Sequence, residues 1–279
     1  MDKSRSFYSV GEKVPLLRLA TEDFWSGLKN YQLWMFLGWQ DIRQRYRRSV
    51  LGPLWLTLTT GVTIAMLGLL YGHLFKMPND VYVPFLATGI IVWTFMVGLI
   101  NEGCEAFMQS DMMIKQVRNP LSTYAFRTVW RNSIILAHNA VILIPVWWLF
   151  PKSLDLIGML TVLLGLVVIA FNGVLISITL GALTTRFRDI GPIVTNIVQA
   201  SFFITPIMWL PSLLQSKGVG AILIDLNPFF HLIEIVRSPL LGNDVSVNSW
   251  LYVLGISGAN LAIALFVLGR FRYRIPYWL

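Results

Sequence analysis

The sequence predicts an all-α integral membrane protein with six transmembrane helices and both ends of the chain on the cytoplasmic side. An N-terminal amphipathic interface helix and short re-entrant periplasmic half-helices before the last span complete that expectation. Three observations lead to it. Hydrophobic residues are 56% of the 279 and charged residues only 13%, where an ordinary globular domain is about a quarter charged. The mean hydropathy is +0.65, which is more apolar surface than a water-soluble chain of this length can hide. The 22 Lys and Arg fall in short clusters between apolar runs, the pattern that arises when basic residues stay cytoplasmic during insertion.

The net charge of +8 would suit a nucleic acid only if the charges lined one soluble face. Their clustering at the ends of apolar runs speaks against a nucleic-acid partner. Cys104 is the only cysteine, so the chain can form neither an internal disulfide nor a Cys-based metal cluster. His73, His138 and His231 are scattered, and no metal site is expected. Residues 1–23 are mixed and charged and carry no signal-peptide pattern, so the first span is expected to act as an uncleaved insertion signal.

Residues 1–49 read as a cytoplasmic arm and interface helix. Thr21 is a candidate cap, with Glu22 and Asp23 in the first turn. Trp25, Leu28, Met35, Trp39, Ile42 and Tyr46 then recur at three- and four-residue steps. Such a stripe fits a helix lying in the membrane surface, or a soluble helix packed on a neighbour. Arg43, Arg45, Arg47 and Arg48 stand immediately before a long apolar run and mark where water gives way to lipid.

The six-span domain runs over 50–270, with spans at about 50–75, 83–106, 127–149, 156–183, 191–210 and 250–270. Residues 107–126 form an inner loop, 211–249 an outer segment, and 271–279 a cytoplasmic tail. With the N-terminus inside, residues 1–49 place nine Lys/Arg on the inner side. The 107–131 region adds four, 186–188 two and 270–274 three, against Lys76, Lys152, Lys217 and Arg237 outside. Pro78-Asn79-Asp80 and Pro151 break the short outer turns. Ser110 is a candidate cap for a short helix that Asn119-Pro120 stops. The runs Val219–Leu226 and Phe229–Val236 are too short to cross a bilayer, and a pair of half-helices would satisfy their backbone groups.

Four strings carry a resemblance: RQRYRRSVLGPLWL, VRNPLS, TTRFRDIGPIV and NPFFHLIEIVRSPLLG. With the order of the spans, they make nearly the whole chain from residue 40 onward resemble the transmembrane subunit of ABC-type polysaccharide exporters. These are the Wzm-like O-antigen permeases and their capsule and teichoic-acid relatives. The resemblance implies a homodimeric, multi-pass permease of the bacterial inner membrane with a channel at the dimer interface. It implies as partners two copies of a separate ATPase, which binds the ATP and Mg; a lipid-linked polysaccharide as cargo; and contacts with membrane lipid. No lysine here follows a glycine, so no P-loop is present and hydrolysis is expected on that partner. The chain itself is expected to be no enzyme and to hold no cofactor.

Candidate site residues follow, each beside a plainer reading. Asp111, Met112, Met113, Lys115 and Arg118 look like the ATPase-coupling element, or belong to a solvated loop. Arg186, Arg188 and Asp189 form a second ATPase contact, or simply anchor a span. Arg43, Arg45, Arg47 and Arg48 fix topology and meet lipid headgroups, or also greet a pyrophosphate at a substrate entrance through bidentate contacts. Tyr71, Phe75, Trp93, Phe202, Phe203 and Trp209 are candidate channel aromatics, or packing. Asn227, Pro228, His231, Glu234 and Arg237 look like a periplasmic gate, with Glu234 and Arg237 at pairing distance along a helix, or a structural ion pair. Gly68 and Gly72 are spaced for close helix contact. Two rival functions remain. An ion-coupled transporter would want mid-span ionisable residues and repeated broken helices, and a membrane transferase would want an acid–base cluster; neither pattern is evident.

Overall fold

The computed structural model describes residues 15–47, 52, 54–212 and 218–279. Arg48, Lys217 and the arm before Pro15 lie outside them. The described residues form helices joined by short turns. In chain order these are α1 (Leu16–Lys29), α2 (Tyr31–Arg45), α3 (Leu54–Leu74), α4 (Asn79–Glu105) and α5 (Asp111–Gln116). Next come α6 (Ser122–Ala140), α7 (Leu143–Leu149), α8 (Leu156–Arg186) and α9 (Ile190–Ile204). The last four are α10 (Gly218–Asp225), α11 (Pro228–Leu240), α12 (Val247–Phe271) and α13 (Ile275–Trp278). Five stretches among them are long and apolar enough to cross a membrane: α3, α4, α6 with α7, α8 and α12.

The expected interface helix is two helices, not one. The chain bends at Asn30, whose N–H reaches back to the carbonyls of Ser26 and Gly27. Thr21 lies inside α1 and returns its hydroxyl to the Arg18 carbonyl, so it caps nothing. Trp25 and Trp39 remain exposed. Trp34 is the tryptophan that packs, stacked on Phe126 at 5.9 Å and edge-on to Trp130 at 6.0 Å.

α4 is the centre of the bundle. It packs on α3, α6, α8, α9 and α11, and Leu86, Ala87, Phe95 and Leu99 are buried along it. In lipid the hydrophobic drive between helices is weak, so close backbone approach matters more. A Cβ at Gly181 of α8 would meet the Gly103 carbonyl of α4 at 3.1 Å, and one at Gly165 would meet the Ile235 carbonyl of α11 at 3.0 Å. Between α6 and α7 the ladder stops ahead of Pro145, whose ring clashes with a carbonyl four residues back.

The expected fifth span, 191–210, is helical only through Ile204. Fifteen residues at about 1.5 Å each make ~22 Å, short of the ~30 Å hydrocarbon core. From Thr205 to Leu210 the chain runs without helix alongside α4. Thr205, Pro206 and Ile207 are buried there, and a Cβ at Gly89 would stand 3.5 Å from Ile207.

α11 turns back into the bundle. Pro228 and Phe229 lie beside Met96, Leu99 and Gly173, while at its other end the Pro239 carbonyl approaches Gly158. Asn227 caps it, accepting from the N–H groups of Phe229 and Phe230, and Pro228 sits in the first turn where a missing N–H costs nothing. Gly242 closes it in a left-handed conformation (φ 78°).

Candidate functional site

At the end of the bundle that carries most of the Arg, α5 follows a single 3₁₀ turn, Met108–Ser110. Ser110 does not cap α5: its hydroxyl donates to the Ala106 carbonyl and accepts from Arg127 Nη1 at 3.3 Å. Asp111 and Lys115 pair at 2.8 Å along one helical turn. Ile114 is buried and Met113 half-buried, so both anchor α5 to its own chain, while Met112 is 71% exposed. Arg118 is exposed. In the turn between α8 and α9, Arg186, Arg188 and Asp189 are all exposed. Arg186 lies 5.6 Å from the ring centroids of both Phe187 and Trp278. A cleft of about 240 Å³ bounded by Met108, Asp111, Thr185, Arg188, Trp278 and Leu279 joins the two segments through α13.

Beside α5 lies a buried ion cluster that sequence reasoning missed. Arg127 forks onto Asp41, Nε to Oδ2 at 2.8 Å and Nη2 to Oδ1 at 2.6 Å. Arg131, only 4% exposed, bridges Asp41 (2.9 Å) and Glu102 (2.8 Å). Glu102 also accepts from Asn132 at 2.6 Å and from Arg45 at 2.8 Å. Burial opposes the charge on Arg45, but the hydrogen bond and charge of Glu102 outweigh it and hold its proton more firmly than usual. Burial also pushes the neighbouring Tyr46 phenol up, against the pull of Arg45. The cluster ties α2 to α4 and α6. Breaking such a network costs much because a partner is left charged and desolvated. The sequence signal was Arg127 and Arg131 at i, i+4 within an otherwise apolar stretch.

Of the four basic residues ahead of α3, Arg45 is therefore drawn into the cluster. Arg43 and Arg47 are exposed and form no ion pair among the described residues; Arg48 lies outside them.

Toward the opposite end, Arg237 of α11 is 1% exposed. Its Nη2 meets Glu234 Oε2 at 2.6 Å, its Nη1 donates to the Pro206 carbonyl at 2.6 Å, and its guanidinium lies 4.1 Å from the Phe85 ring centroid. Ser238 donates to the other Glu234 oxygen. The Tyr82 hydroxyl donates to the Met208 carbonyl at 2.6 Å, and Asn227 donates to Thr205 Oγ1 at 3.0 Å. These groups serve the non-helical stretch after α9, whose carbonyls would otherwise face an apolar interior unpaired. His231 Nε2 donates to the Asp225 carbonyl at 2.8 Å, which leaves Nδ1 to accept from Ser249 Oγ at 3.0 Å; the ring stacks on Tyr252 at 4.3 Å.

The six candidate aromatics separate into two groups. Tyr71 stacks on Phe75 at 5.5 Å, and Phe75 meets Tyr82 edge-on. Trp93 contacts Phe202 at 5.6 Å and Phe229 at 5.3 Å and is buried within the single chain. Phe203 is 69% exposed, and its carbonyl accepts from Trp209 Nε1 at 3.3 Å. Asn172 of α8 bonds Ser257 (2.7 Å) and Asn260 (2.8 Å) of α12. Gly72 lies against Tyr82 and Asn79, and Gly68 faces Val83.

These helices define a multi-pass membrane protein built around one central span. The family model for the ABC-2 type transporter matches residues 32–241, well over half of the chain, and the chain belongs to that family. It is similar to two O-antigen export system permease proteins RfbA of Klebsiella pneumoniae. One is 26% identical over 243 residues, which cover 84% of this chain and 90% of that protein. The other is 24% identical over 244 residues. A protein of the same name from Myxococcus xanthus is 23% identical over 202 residues, 69% of this chain and 74% of that one. The relatives are permease subunits, and a member of an ABC family works with an ATPase.

Proposed function

We propose that the chain is the permease subunit of an ATP-driven exporter that moves a lipid-linked polysaccharide out of the cytoplasm, with lipopolysaccharide O-antigen as the cargo. The observation that carries this reading is the junction of α5, the 186–189 turn and the Arg127 cluster at one end of the bundle. A push on α5 there reaches α2, α4 and α6 through Ser110, Arg127 and Arg131. The names of the relatives support the cargo. In this reading the Arg-rich end is cytoplasmic in a bacterial inner membrane, and both ends of the chain lie there. α9 with 205–210 is the fifth of six spans, and α10 with α11 is a re-entrant pair.

A separate ATPase, with its ATP and Mg, docks on α5 and the 186–189 turn. Two copies of the chain enclose the channel, to which the exposed Phe203 and the accessible edges of Tyr71 and Phe75 offer apolar faces for sugar C–H surfaces. Arg43 and Arg47, which form no ion pair among the described residues, are placed to meet phosphate at the entrance; Arg45 is occupied by Glu102. Asn227 and Arg237, the latter held by Glu234, keep the outer gate by gripping Thr205 and Pro206.

The test is deletion of the gene in its native cell, with polymer assayed at the surface and inside. Loss of surface glycan with lipid-linked polymer accumulating inside supports export. Loss without accumulation would favour a role in synthesis, and normal pools would end the polysaccharide reading.

A further inference from the structure

The segment after α12 is anchored and yet presents aromatic rings to the outside. Ile275 is fully buried, and Trp278 packs on Phe271 at 5.5 Å with the Arg186 guanidinium 5.6 Å from its ring centroid. Arg272 donates to the Leu19 carbonyl at 3.0 Å, fixing the segment to α1. On this fixed base Tyr277 is 89% exposed and Tyr273 65%. They border a groove of about 780 Å³ whose walls include Lys115, Arg118, Pro120 and Arg272. The groove runs between α1, α5 and α13, and the separate 240 Å³ cleft also draws on α5 and α13, through Asp111 and Trp278, and reaches Arg188. The two tyrosines and Val117 line this groove among charged residues, and Met112 of α5 and Phe187 of the turn after α8 are also more than half exposed. Large exposed apolar groups held on a rigid base and rimmed by charge mark protein–protein contact, and tyrosine beside arginine is the composition of an interface centre.

We propose that residues 272–278 form a third wall of the ATPase docking surface, with Tyr273 and Tyr277 receiving an ATPase segment in the groove beside α5. This rests on the permease reading above. The groove carries Lys115, Arg118 and Arg272 against Glu22 and Asp23, and the nearby cleft carries Arg188 against Asp111, so basic groups remain in excess. The complementary ATPase surface therefore presents an apolar side chain flanked by carboxylates. Trp278 and Arg186 have a separate part. They join this wall to the 186–189 turn, so the two coupling segments and the tail move as one body.

The test places a photoreactive benzoylphenylalanine at Tyr277, and separately at Met112, in the full chain in its native cells, and identifies the cross-linked partner by mass spectrometry. The expected result is the same ABC-type ATPase at both positions. An ATPase adduct at Met112 with none at Tyr277 overturns the third wall and leaves the permease reading standing. No ATPase adduct at either position sinks both. An adduct at Tyr277 to a second copy of this chain also overturns the proposal, because the face would then join copies. In purified complexes, Tyr273→Ala with Tyr277→Ala is expected to weaken ATPase binding about tenfold or more, the loss typical of truncated aromatic anchors. Unchanged binding would count against it.

Discussion

Asp23 stands in α1, is 3% exposed, and serves a helix that begins 99 residues later. Its carboxylate accepts from the N–H groups of Leu121 and Ser122 at 3.2 and 3.0 Å and from the Ser122 hydroxyl at 2.9 Å. It thus satisfies donors that every helix start leaves open. Asp23→Ala would leave them buried and unpaired, at about 1–3 kcal/mol; thermal unfolding in detergent should show a clearly lowered midpoint, and an unchanged midpoint would refute the cap. Arg237 is the other single residue on which much depends. It neutralises Glu234 and also satisfies the Pro206 carbonyl. Replacing a buried pair by two apolar side chains is often neutral, whereas removing one member costs about 3–5 kcal/mol. Arg237→Met should therefore be severe, and adding Glu234→Met should restore only part, since the Pro206 carbonyl stays orphaned. Full restoration would show that the carbonyl contact contributes nothing.

At the scale of elements, α2 is held to the bundle by its packed face and by the ion cluster. Trp34, Gly38, Asp41, Ile42 and Arg45 all turn toward the rest of the chain, and a Cβ at Gly38 would come within 3.2 Å of the Arg127 carbonyl. Arg127→Ala removes the forked contact with Asp41 and loosens this helix first. Trypsin should then cut at Arg43 and Arg47 several-fold faster than in the native chain, while sites in the 186–188 turn keep their rate. Equal rates at both would mean that packing alone holds α2. The cluster is also where local change would spread, because Ser110, Arg127, Asp41, Arg131 and Glu102 form one unbroken series of hydrogen bonds between the start of α5 and three helices. α9 has the opposite character: it ends early, and its exit is held by side chains of α4 and α11.

For the whole molecule, the strongest expectation concerns sidedness. The face of α3 bearing Leu58, Val62, Met66 and Leu69, and that of α8 bearing Leu156, Leu160, Leu163 and Val167, are open in the single chain. They are surfaces for lipid or a second copy. With Cys104 replaced by Ala, single cysteines at Lys152 and Asn243 should react with an impermeant maleimide in intact cells. Cysteines at Lys115 and Arg188 should react only after the membrane is opened. Labelling of 152 and 188 from the same side would break the six-span arrangement, since α8 lies between them.

The sequence by itself determined the class of protein, the presence of several helices long and apolar enough to cross a membrane, and local pairs such as Glu234 with Arg237. Each of these depends on composition or on spacing within one helix, where period fixes which residues share a face. Only the tertiary structure decided which distant charges meet. Arg45 finds Glu102 across 57 residues and Arg127 finds Asp41 across 86, and nothing in helical period says which neighbour a face will touch. The same holds for Trp93, a candidate channel ring until Phe202 and Phe229 enclose it, and for the break after Ile204. Residues 205–210 are apolar enough to read as more of the span. They leave the helix where Asn227, Arg237 and Tyr82, brought in by other helices, supply the polar partners that the helix would otherwise have provided.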